Sequence, residues 1–488
     1  FACHPGDWPS QSPCVIDESF GVFVASATTS TGSDTPGNGS KAHPYATINY
    51  ALAHLKGLAR IYVCNAVYAE SVSISGSTEA NLFGGLACPG GDAGTAWSYV
   101  GGVATVTQPA GSYALHVETA SDPLVVQDMA FTTADASTVD SAGNGVSSIA
   151  VFVNASTVTF TNVKMTAGKG ANGSDGAGGA SKPNYTGTAA ANGSPGYSPA
   201  DGGNGSGPGG TASCLVFGAS IGGSGGVAGA TSTPGGYGAA GMATPTATGS
   251  GVYDGASGTG GVGTCTNGHS GADGAAGAGG TAATKFGGLN GNGWEPSSGA
   301  AGQPGDPGQG GGGGGGQGGA PLLGGDGGGS GGCGGSGGGG GKAGGASIAL
   351  ASFESTVALV TCTVRTANGG DGGMGGNAEA GQAGGARATG GSCPGGYGGN
   401  GAGGSGGAGG TQGISVDILF NNTTAGTPSN EPTVDSATTF SHGTAGTAGT
   451  GGAAGAHGVG TLTTGNDGVA GAAGYSDSVN AAKNTLGI

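Results

Sequence analysis

The side chains that could carry out acid–base chemistry are few and scattered along the chain. Acidic residues that could act in pairs lie on or near expected strands at Asp17–Glu18, Asp122 and Asp128, but they show no repeated spacing. The arginines Arg60, Arg365 and Arg387 are far apart, and the seven histidines form no HxH or HExxH pattern. The sequence therefore predicts no catalytic residue, no cofactor and no metal site.

Five aspartates precede a glycine inside glycine-rich segments: Asp175, Asp273, Asp326, Asp371 and Asp467. Calcium ligation is one interpretation of these positions, but the calcium-binding repeat GGxGxDxUx is absent. Asp-Gly pairs favour tight turns, because Asp bonds to its own backbone and Gly adopts positive φ without strain. Turns are therefore the favoured prediction here.

The nine cysteines show no CxxC pattern typical of zinc sites. Cys3 and Cys14 bracket a short segment, and Cys64 and Cys88 end two candidate strands that could stack. We predict two disulfides from these pairs, and hence an oxidising compartment, with free buried thiols as the alternative. The five other cysteines stay unassigned, and their odd number leaves at least one free or bonded to another chain: Cys214, Cys265, Cys333, Cys362 and Cys393.

The overall charge excludes several classes of partner. The formal net charge is −16, and only 8% of residues are charged. Such a chain is not attracted to nucleic acid or to anionic membrane surfaces. No run of about 20 apolar residues occurs, so no membrane span is expected. The start at Phe1 is typical of a processed chain, and with the cysteines it predicts a secreted or cell-surface protein.

Residues 16–166 have the texture of a β domain, which follows a disulfide-closed segment at residues 1–15. Short β-branched runs such as PLVVQDMAFTTA alternate with small turn residues, which indicates strands. One segment, TINYALAHLKGL at 47–58, has apolar residues at helical spacing. Many short strands without obvious hairpin turns favour a solenoid over a sandwich.

Three motifs near the start resemble those of right-handed parallel β-helix proteins. They are a G-x-D-x-x-x-G turn at Gly32–Gly39, a P-Y-x-T-I-x-x-A-L run at Pro44–Leu52, and a Y-x-E segment at Tyr68–Val72. The match covers about 60 residues and implies the fold, which hosts lyases, hydrolases, adhesins and inert spacers alike. With its glycine-rich inserts, the whole layout resembles uncharacterised secreted proteins of myxobacteria.

From residue 167 onward, glycine recurs at every third position, and 125 of the 488 residues are glycine. Two long tracts carry the pattern most clearly: Gly299, Gly302, Gly305, Gly308, Gly311 and Gly314; and Gly325, Gly328, Gly331, Gly334, Gly337 and Gly340. Further tracts span 395–410, 443–458 and 465–474. A flexible linker has no reason to keep such a period.

Three residues per turn is the period of the polyproline-II helix, which makes no internal hydrogen bonds. Only 21 prolines occur, which argues against collagen. We therefore predict a bundle of polyglycine-II helices formed by one chain, in which neighbouring tracts pair each other's backbone groups. The dense tracts at 310–316 and 328–342 should lie deepest, and 443–458 should lie outside. The period is similar to that of the snow-flea antifreeze protein and of some phage tail adhesins.

Strand-like pieces interrupt residues 167–488 at 211–220, 346–367 and 413–442. Because their flanking sequences are alike, we predict that each is a further β-helix coil and that each glycine insert leaves and rejoins one corner. The expected fold class is thus all-β with irregular parts, a right-handed parallel β-helix carrying a polyglycine-II bundle.

This fold predicts an extracellular structural protein: a scaffold, an adhesin or a self-assembling fibre subunit without catalysis. Self-association is the expected partnership, with a carbohydrate or cell-surface ligand also open. A module that binds ice or carbohydrate is the first alternative, because Thr444, Thr447 and Thr450 repeat at three and would align their hydroxyls. A polysaccharide-active β-helix enzyme is the second alternative.

Overall fold

A computed structural model describes most of the chain. The described residues are 3, 4, 6–76, 80–90, 97–181, 184–187, 189–198, 205–230, 236, 238, 241, 254–319, 322–421, 430–478 and 480–488. Nearly all regular structure among them is β, with one α-helix, α1 (Ile48–Ala53), and two 3-10 helices at Pro13–Val15 and Gly179–Ser181.

Three parallel sheets contain nineteen of the strands. Sheet A consists of β1 (Val22–Val24), β2 (Arg60–Cys64), β5 (Asn81–Leu86), β8 (Leu124–Gln127), β11 (Thr157–Thr161), β20 (Thr356–Val360) and β23 (Thr433–Val434). Sheet B consists of β3 (Val67–Tyr68), β6 (Ala104–Gln108), β9 (Met129–Thr133), β12 (Lys164–Thr166), β21 (Thr363–Arg365) and β24 (Thr439–Ser441). Sheet C consists of β4 (Val72–Ser75), β7 (Leu115–Glu118), β10 (Ser148–Asn154), β19 (Ser347–Phe353), β22 (Ser415–Phe420) and β25 (Ala482–Gly487).

From β2 onward these strands visit the three sheets in a fixed rotation of A, then B, then C. Each strand pairs in parallel with the strand one rotation earlier, as β11 does with β8 and β12 does with β9. The expectation of an all-β chain with parallel strands is confirmed. The final strand of sheet C, β25, was not predicted from the sequence.

The three sheets enclose one apolar core. Alternate residues of short strands point inward, as in β4, where Val72 and Ile74 are buried and Ser73 is exposed. Phe131 and Phe160 are among the largest side chains fully buried in this core. At roughly 25 cal/mol per Å² of apolar surface, this burial is the main stabilising contribution of the sheets.

The central strands of sheet C, β10, β19 and β22, are covered on both faces, which explains their continuous apolar runs. Every residue of β10 and β22 is buried. On the outer face, Phe152, Ile348 and Leu419 pack against Phe286 and Leu289. Strands β16 (Gly287–Asn290) and β17 (Gly293–Pro296) form an antiparallel hairpin. Leu289 lies in β16, and Phe286 directly precedes that strand.

The motif residues close the N-terminal end of the sheets. The carboxylate of Asp34 accepts the N–H groups of Ala46 and Thr47 at 2.8 and 3.1 Å. Glu70 accepts those of Ile48 and Asn49 at 2.7 and 3.0 Å, which satisfies the free donors at the start of α1. The expected helix at 47–58 is shorter than predicted, because positive φ at Lys56 and Gly57 turns the chain after His54.

All long glycine-rich inserts leave after a sheet B strand and return at a sheet C strand. The first runs from β12 to β19, the second from β21 to β22, and the third from β24 to β25. Since those strands are stacked neighbours, the three inserts start side by side. This shared corner is what allows tracts that are distant in sequence to meet.

The prediction of a coil at 211–220 is wrong. Strands β13 (Thr211–Cys214) and β14 (Gly218–Ile221) form an antiparallel hairpin that joins none of the three sheets. The turn closes at Gly218 with φ of +82°, a conformation that suits glycine. The alternation of buried and exposed residues in β13 therefore belongs to a hairpin that packs on the glycine tracts. A last small pair, β15 (Gly261–Val262) and β18 (Gln317–Gly318), is parallel.

The glycine tracts are extended and are paired to each other by backbone hydrogen bonds. In the tract 299–314, the six N–H groups of the predicted glycines donate to residues 341, 338, 335, 332, 329 and 326 in that order, at 2.8–3.0 Å. Donors advance by three while acceptors recede by three, so the two tracts are antiparallel. Apart from short strands and turns, the described parts of these tracts lie outside helix and strand.

The two predicted sets of glycines face each other directly. A Cβ atom added to Gly325, Gly328, Gly331, Gly334, Gly337 or Gly340 would lie 1.8–2.1 Å from a carbonyl oxygen of the set that begins at Gly299. Such distances are far below van der Waals contact, so only glycine fits at these positions. Residues 310–316 are all buried, whereas most non-glycine residues of 443–458 are exposed.

Candidate functional surface

Three of the acidic residues considered for catalysis, Asp17, Glu18 and Asp128, make separate local hydrogen bonds. Asp17 accepts the N–H and hydroxyl of Ser19, and Glu18 accepts the N–H of Lys41. Asp128 is buried and accepts from Gln127, and this burial raises its pKa. In the part of the chain that the structure describes, no group of three His, Cys, Asp or Glu side chains is placed to hold a metal ion.

The arginines are equally separate. Arg60 donates to the backbone oxygen of Asp7 at 2.9 Å, and its guanidinium lies over the ring of Phe83. Arg387 lies over the ring of Tyr397. Arg365 is exposed at the end of β21. None of these contacts brings a guanidinium to a pair of carboxylates.

Four disulfides are present. Cys3–Cys14 and Cys64–Cys88 join the pairs expected from the sequence, and the second links β2 to the residues just after its neighbour β5. The other two bonds, Cys214–Cys333 and Cys265–Cys393, close sequence separations of 119 and 128 residues. Cys362 is the remaining thiol, and it is buried. The bond Cys214–Cys333 fixes the β13–β14 hairpin to a glycine tract, and Cys265–Cys393 fixes two glycine tracts to each other; sequence spacing alone did not reveal these pairings.

One side of the glycine region carries three parallel tracts, which we call the outer face: residues 169–178, 368–380 and 444–456. The N–H groups of Gly170, Gly173 and Gly176 donate to the middle tract, and those of Gly369, Gly372 and Gly375 donate to the third. Exposed side chains follow the same period of three. They include Asn172 and Asp175; Asn368, Asp371, Met374 and Asn377; and Thr444, Thr447 and Thr450.

Asn and Asp side chains on this face connect neighbouring tracts. Asn172 and Asp175 accept the N–H groups of Asp371 and Met374 at 2.8 and 2.7 Å. Asp371 in turn accepts both the N–H and the hydroxyl of Thr447, at 2.7 and 2.8 Å. A short side chain with an acceptor oxygen thus satisfies a backbone donor that no neighbouring carbonyl reaches.

The prediction of Asp-Gly turns is therefore wrong. None of the five aspartates lies in a turn. Asp273 accepts the N–H of Asn400, Asp467 that of His457, and Asp326 those of Gly196 and Gly391. The sequence contained a sign of this role, because the Asn and Asp residues recur at multiples of three like the glycines. They are Asn172 and Asp175 in one tract, and Asn368, Asp371 and Asn377 in the next.

Three His–Asp pairs occur among the described residues, and their environments differ. In the exposed pairs His269–Asp254 and His457–Asp467, hydrogen bonds from backbone N–H groups lower the pKa of each carboxyl. In the third pair, Asp417 is fully buried in β22 and lies 3.5 Å from Nδ1 of His442. Burial raises the pKa of Asp417 to about 6, although the Thr366 hydroxyl bonds to it.

Comparison with protein-family models, with curated proteins and with solved structures finds no match to this chain. Among the described residues, no helix is long and apolar enough to cross a membrane. Four disulfides and an all-β architecture are consistent with an extracellular protein.

Proposed function

We propose that this chain is an extracellular structural protein, a scaffold, adhesin or self-assembling fibre subunit of the kind found among secreted proteins of myxobacteria. Its fold is proposed to be a right-handed parallel β-helix whose inserts form one polyglycine-II bundle. The rotation of strands through three parallel sheets supports the first part of this proposal. Tract-to-tract hydrogen bonding at every third residue supports the second.

One observation carries the structural role: the two facing glycine tracts, 299–314 and 325–340, are held together by repeated backbone hydrogen bonds and not by side chains. A second ladder joins Gly329, Gly332 and Gly335 to residues 396, 399 and 402 at 2.9–3.0 Å. Such a lattice is rigid and needs few charged or catalytic groups. A tract of 16 residues would be about 50 Å long at the rise of a polyproline-II helix.

The test is the state of the purified protein in solution and on a microscope grid. We expect particles larger than one chain in sedimentation velocity over a concentration series, and filaments or ordered oligomers by negative-stain microscopy. A protein that stays monomeric at every concentration, with no ordered particles, would contradict the fibre-subunit proposal. It would leave a monomeric adhesin, whose test is binding to cell surfaces or glycans.

The outer face supports a second candidate, the binding of ice or carbohydrate. Thr444, Thr447 and Thr450 are exposed in one tract, about 9 Å apart at the expected rise. The hydroxyl of Thr447 already bonds to Asp371, so it is held in a fixed orientation. Thermal hysteresis of the purified protein tests ice binding, and its absence would argue against that candidate.

A further inference from the structure

The tip of the β13–β14 hairpin exposes three consecutive large apolar side chains. Leu215, Val216 and Phe217, which we call the apolar tip, are 80, 56 and 43% exposed. Among the described residues, no other exposed large apolar side chains are consecutive in the sequence. Single exposed apolar residues are ordinary, but a contiguous group indicates a contact surface.

The apolar tip is held rigidly. The disulfide Cys214–Cys333 fixes the residue just before the tip to a central glycine tract. Asn184, which is fully buried, accepts the N–H of Leu215 with its backbone oxygen at 3.0 Å and the N–H of Val216 with Oδ1 at 2.7 Å. Its Nδ2 donates to the carbonyl of Gly334 at 2.9 Å. A preorganised tip loses little conformational entropy on binding.

A pocket of about 500 Å³ lies elsewhere on the molecule, between the β16–β17 hairpin and the last strand, β25. Phe286, Leu289 and Leu486 are buried in its wall, and the ring of Tyr475 packs edge-on against Phe286 at 5.1 Å between centroids. Its volume lies in the range of pockets that bury a small ligand or a few apolar side chains.

Charge also distinguishes the two surfaces. Lys285 and Lys483 line the pocket together with one carboxylate, Asp477, so its lining carries one net positive charge. Beside the apolar tip, the carboxylate of Glu379 accepts the N–H of Asn184 at 3.0 Å. The acidic group at the base of the tip and the net positive charge of the pocket are complementary, which favours one orientation of docking.

We propose that the apolar tip of one copy docks into the β25 pocket of a second copy. This inference rests on the proposed self-assembling function and supplies its interface. The two surfaces are different, so the contact is heterologous and produces an open chain of subunits when its rotation does not close. A membrane is the less suitable occupant, because a chain of net charge −16 is repelled by anionic lipid.

Single cysteines placed on the two surfaces test the contact directly. Val216→Cys lies on the exposed tip, and Gly288→Cys lies in the pocket, where an added Cβ meets only Lys285 Nζ at 3.8 Å. After mild oxidation of the mixed variants, we expect disulfide-linked dimers. The matched control is Val459→Cys, which is 68% exposed at another site and should give no dimer with Gly288→Cys.

Phe217→Ser provides an independent measurement, with Val459→Ser as its control. Both side chains are exposed, so both variants should keep the wild-type melting temperature. We expect Phe217→Ser to raise at least tenfold the protein concentration that is needed for assembly, as followed by the weight-average mass. Val459→Ser should leave that concentration unchanged.

The outcomes separate the two proposals. The wild type could assemble while Val216→Cys and Gly288→Cys form no mixed dimer and Phe217→Ser assembles normally. That result overturns this interface and leaves the fibre-subunit function standing. A wild type that is monomeric throughout overturns both. Binding to phosphatidylcholine vesicles that Phe217→Ser abolishes would assign the tip to a membrane and overturn the contact between copies.

Discussion

The backbone N–H of Gly311 donates to the carbonyl oxygen of Gly329 at 2.8 Å, and no side chain separates the two backbones. On another side of Gly311, an added Cβ atom would lie 2.2 Å from the carbonyl oxygen of Gly396. Gly311 therefore contacts tracts that are 18 and 85 residues away in the chain, and the contact with Gly396 requires glycine at this position.

The first prediction concerns that position. Gly311→Ala places a methyl group where a carbonyl oxygen lies, so the tracts must separate, and overpacking of this kind typically costs about 1–3 kcal/mol. We expect a lower melting temperature by calorimetry. The matched control is Gly178→Ala, where the nearest atom to a new Cβ is 3.6 Å away. That change should be neutral or slightly stabilising; equal effects of both substitutions would contradict close packing of the tracts.

The second prediction concerns the long-range disulfides. Cys214–Cys333 closes a loop of 119 residues, for which the chain-entropy model gives about 4–5 kcal/mol of stabilisation. The double variant Cys214→Ser, Cys333→Ser should therefore unfold at lower denaturant concentration. Removal of Cys3–Cys14, which spans only 11 residues, should have the smaller effect. The reverse order would show that the glycine tracts do not depend on this bond.

The third prediction concerns the aspartates that face neighbouring tracts. Asp371→Ala leaves the N–H of Thr447 without its acceptor and should cost about 1 kcal/mol. Asp371→Asn keeps an acceptor oxygen and should retain most of the stability. Hydrogen exchange at Thr447, measured by mass spectrometry, should rise in the Ala variant and change little in the Asn variant. A calcium role would instead make both variants, and chelation of the wild type, destabilising.

The fourth prediction is a pH dependence of stability from Asp417. Its pKa is about 6 in the folded protein against an ordinary value of 3.8, because burial disfavours the charged carboxylate. The folded state thus holds this proton more tightly than the unfolded state. The free energy of unfolding should fall as pH rises from about 4 to about 6, by up to about 3 kcal/mol.

The facing charged group limits the size of that effect. His442 is the titratable group in contact with Asp417, and its protonated form stabilises the carboxylate. Asp417→Asn should remove the fall between pH 4 and 6 and should melt at or above the wild-type temperature at pH 7.5. At pH 3.5 the two proteins should melt alike. If the melting temperatures of the wild type and of Asp417→Asn changed with pH in the same way between pH 4 and 6, Asp417 would have an ordinary pKa.

The local rules of this chain could be inferred from its sequence because they depend on residue type and spacing. A glycine at every third position leaves one edge bare of side chains, so close contact between backbones along that edge could be expected. Alternating apolar residues in 16–166 indicated strands, and the cysteine positions indicated Cys3–Cys14 and Cys64–Cys88. Each inference needs only neighbours along the chain.

The tertiary structure decided which tracts meet, because those contacts depend on the stacking of strands that are far apart in sequence. The bond Cys265–Cys393 joins the first insert to the second, which start side by side at the shared corner of sheets B and C, and Cys214–Cys333 joins two distant parts of the first insert. The same holds for Asp371 and Thr447, whose tracts are parallel and in register. A short alternation of apolar and polar residues, such as that at 211–220, fits a β-helix coil and a hairpin equally well. Packing against the glycine tract that contains Cys333 selected the hairpin.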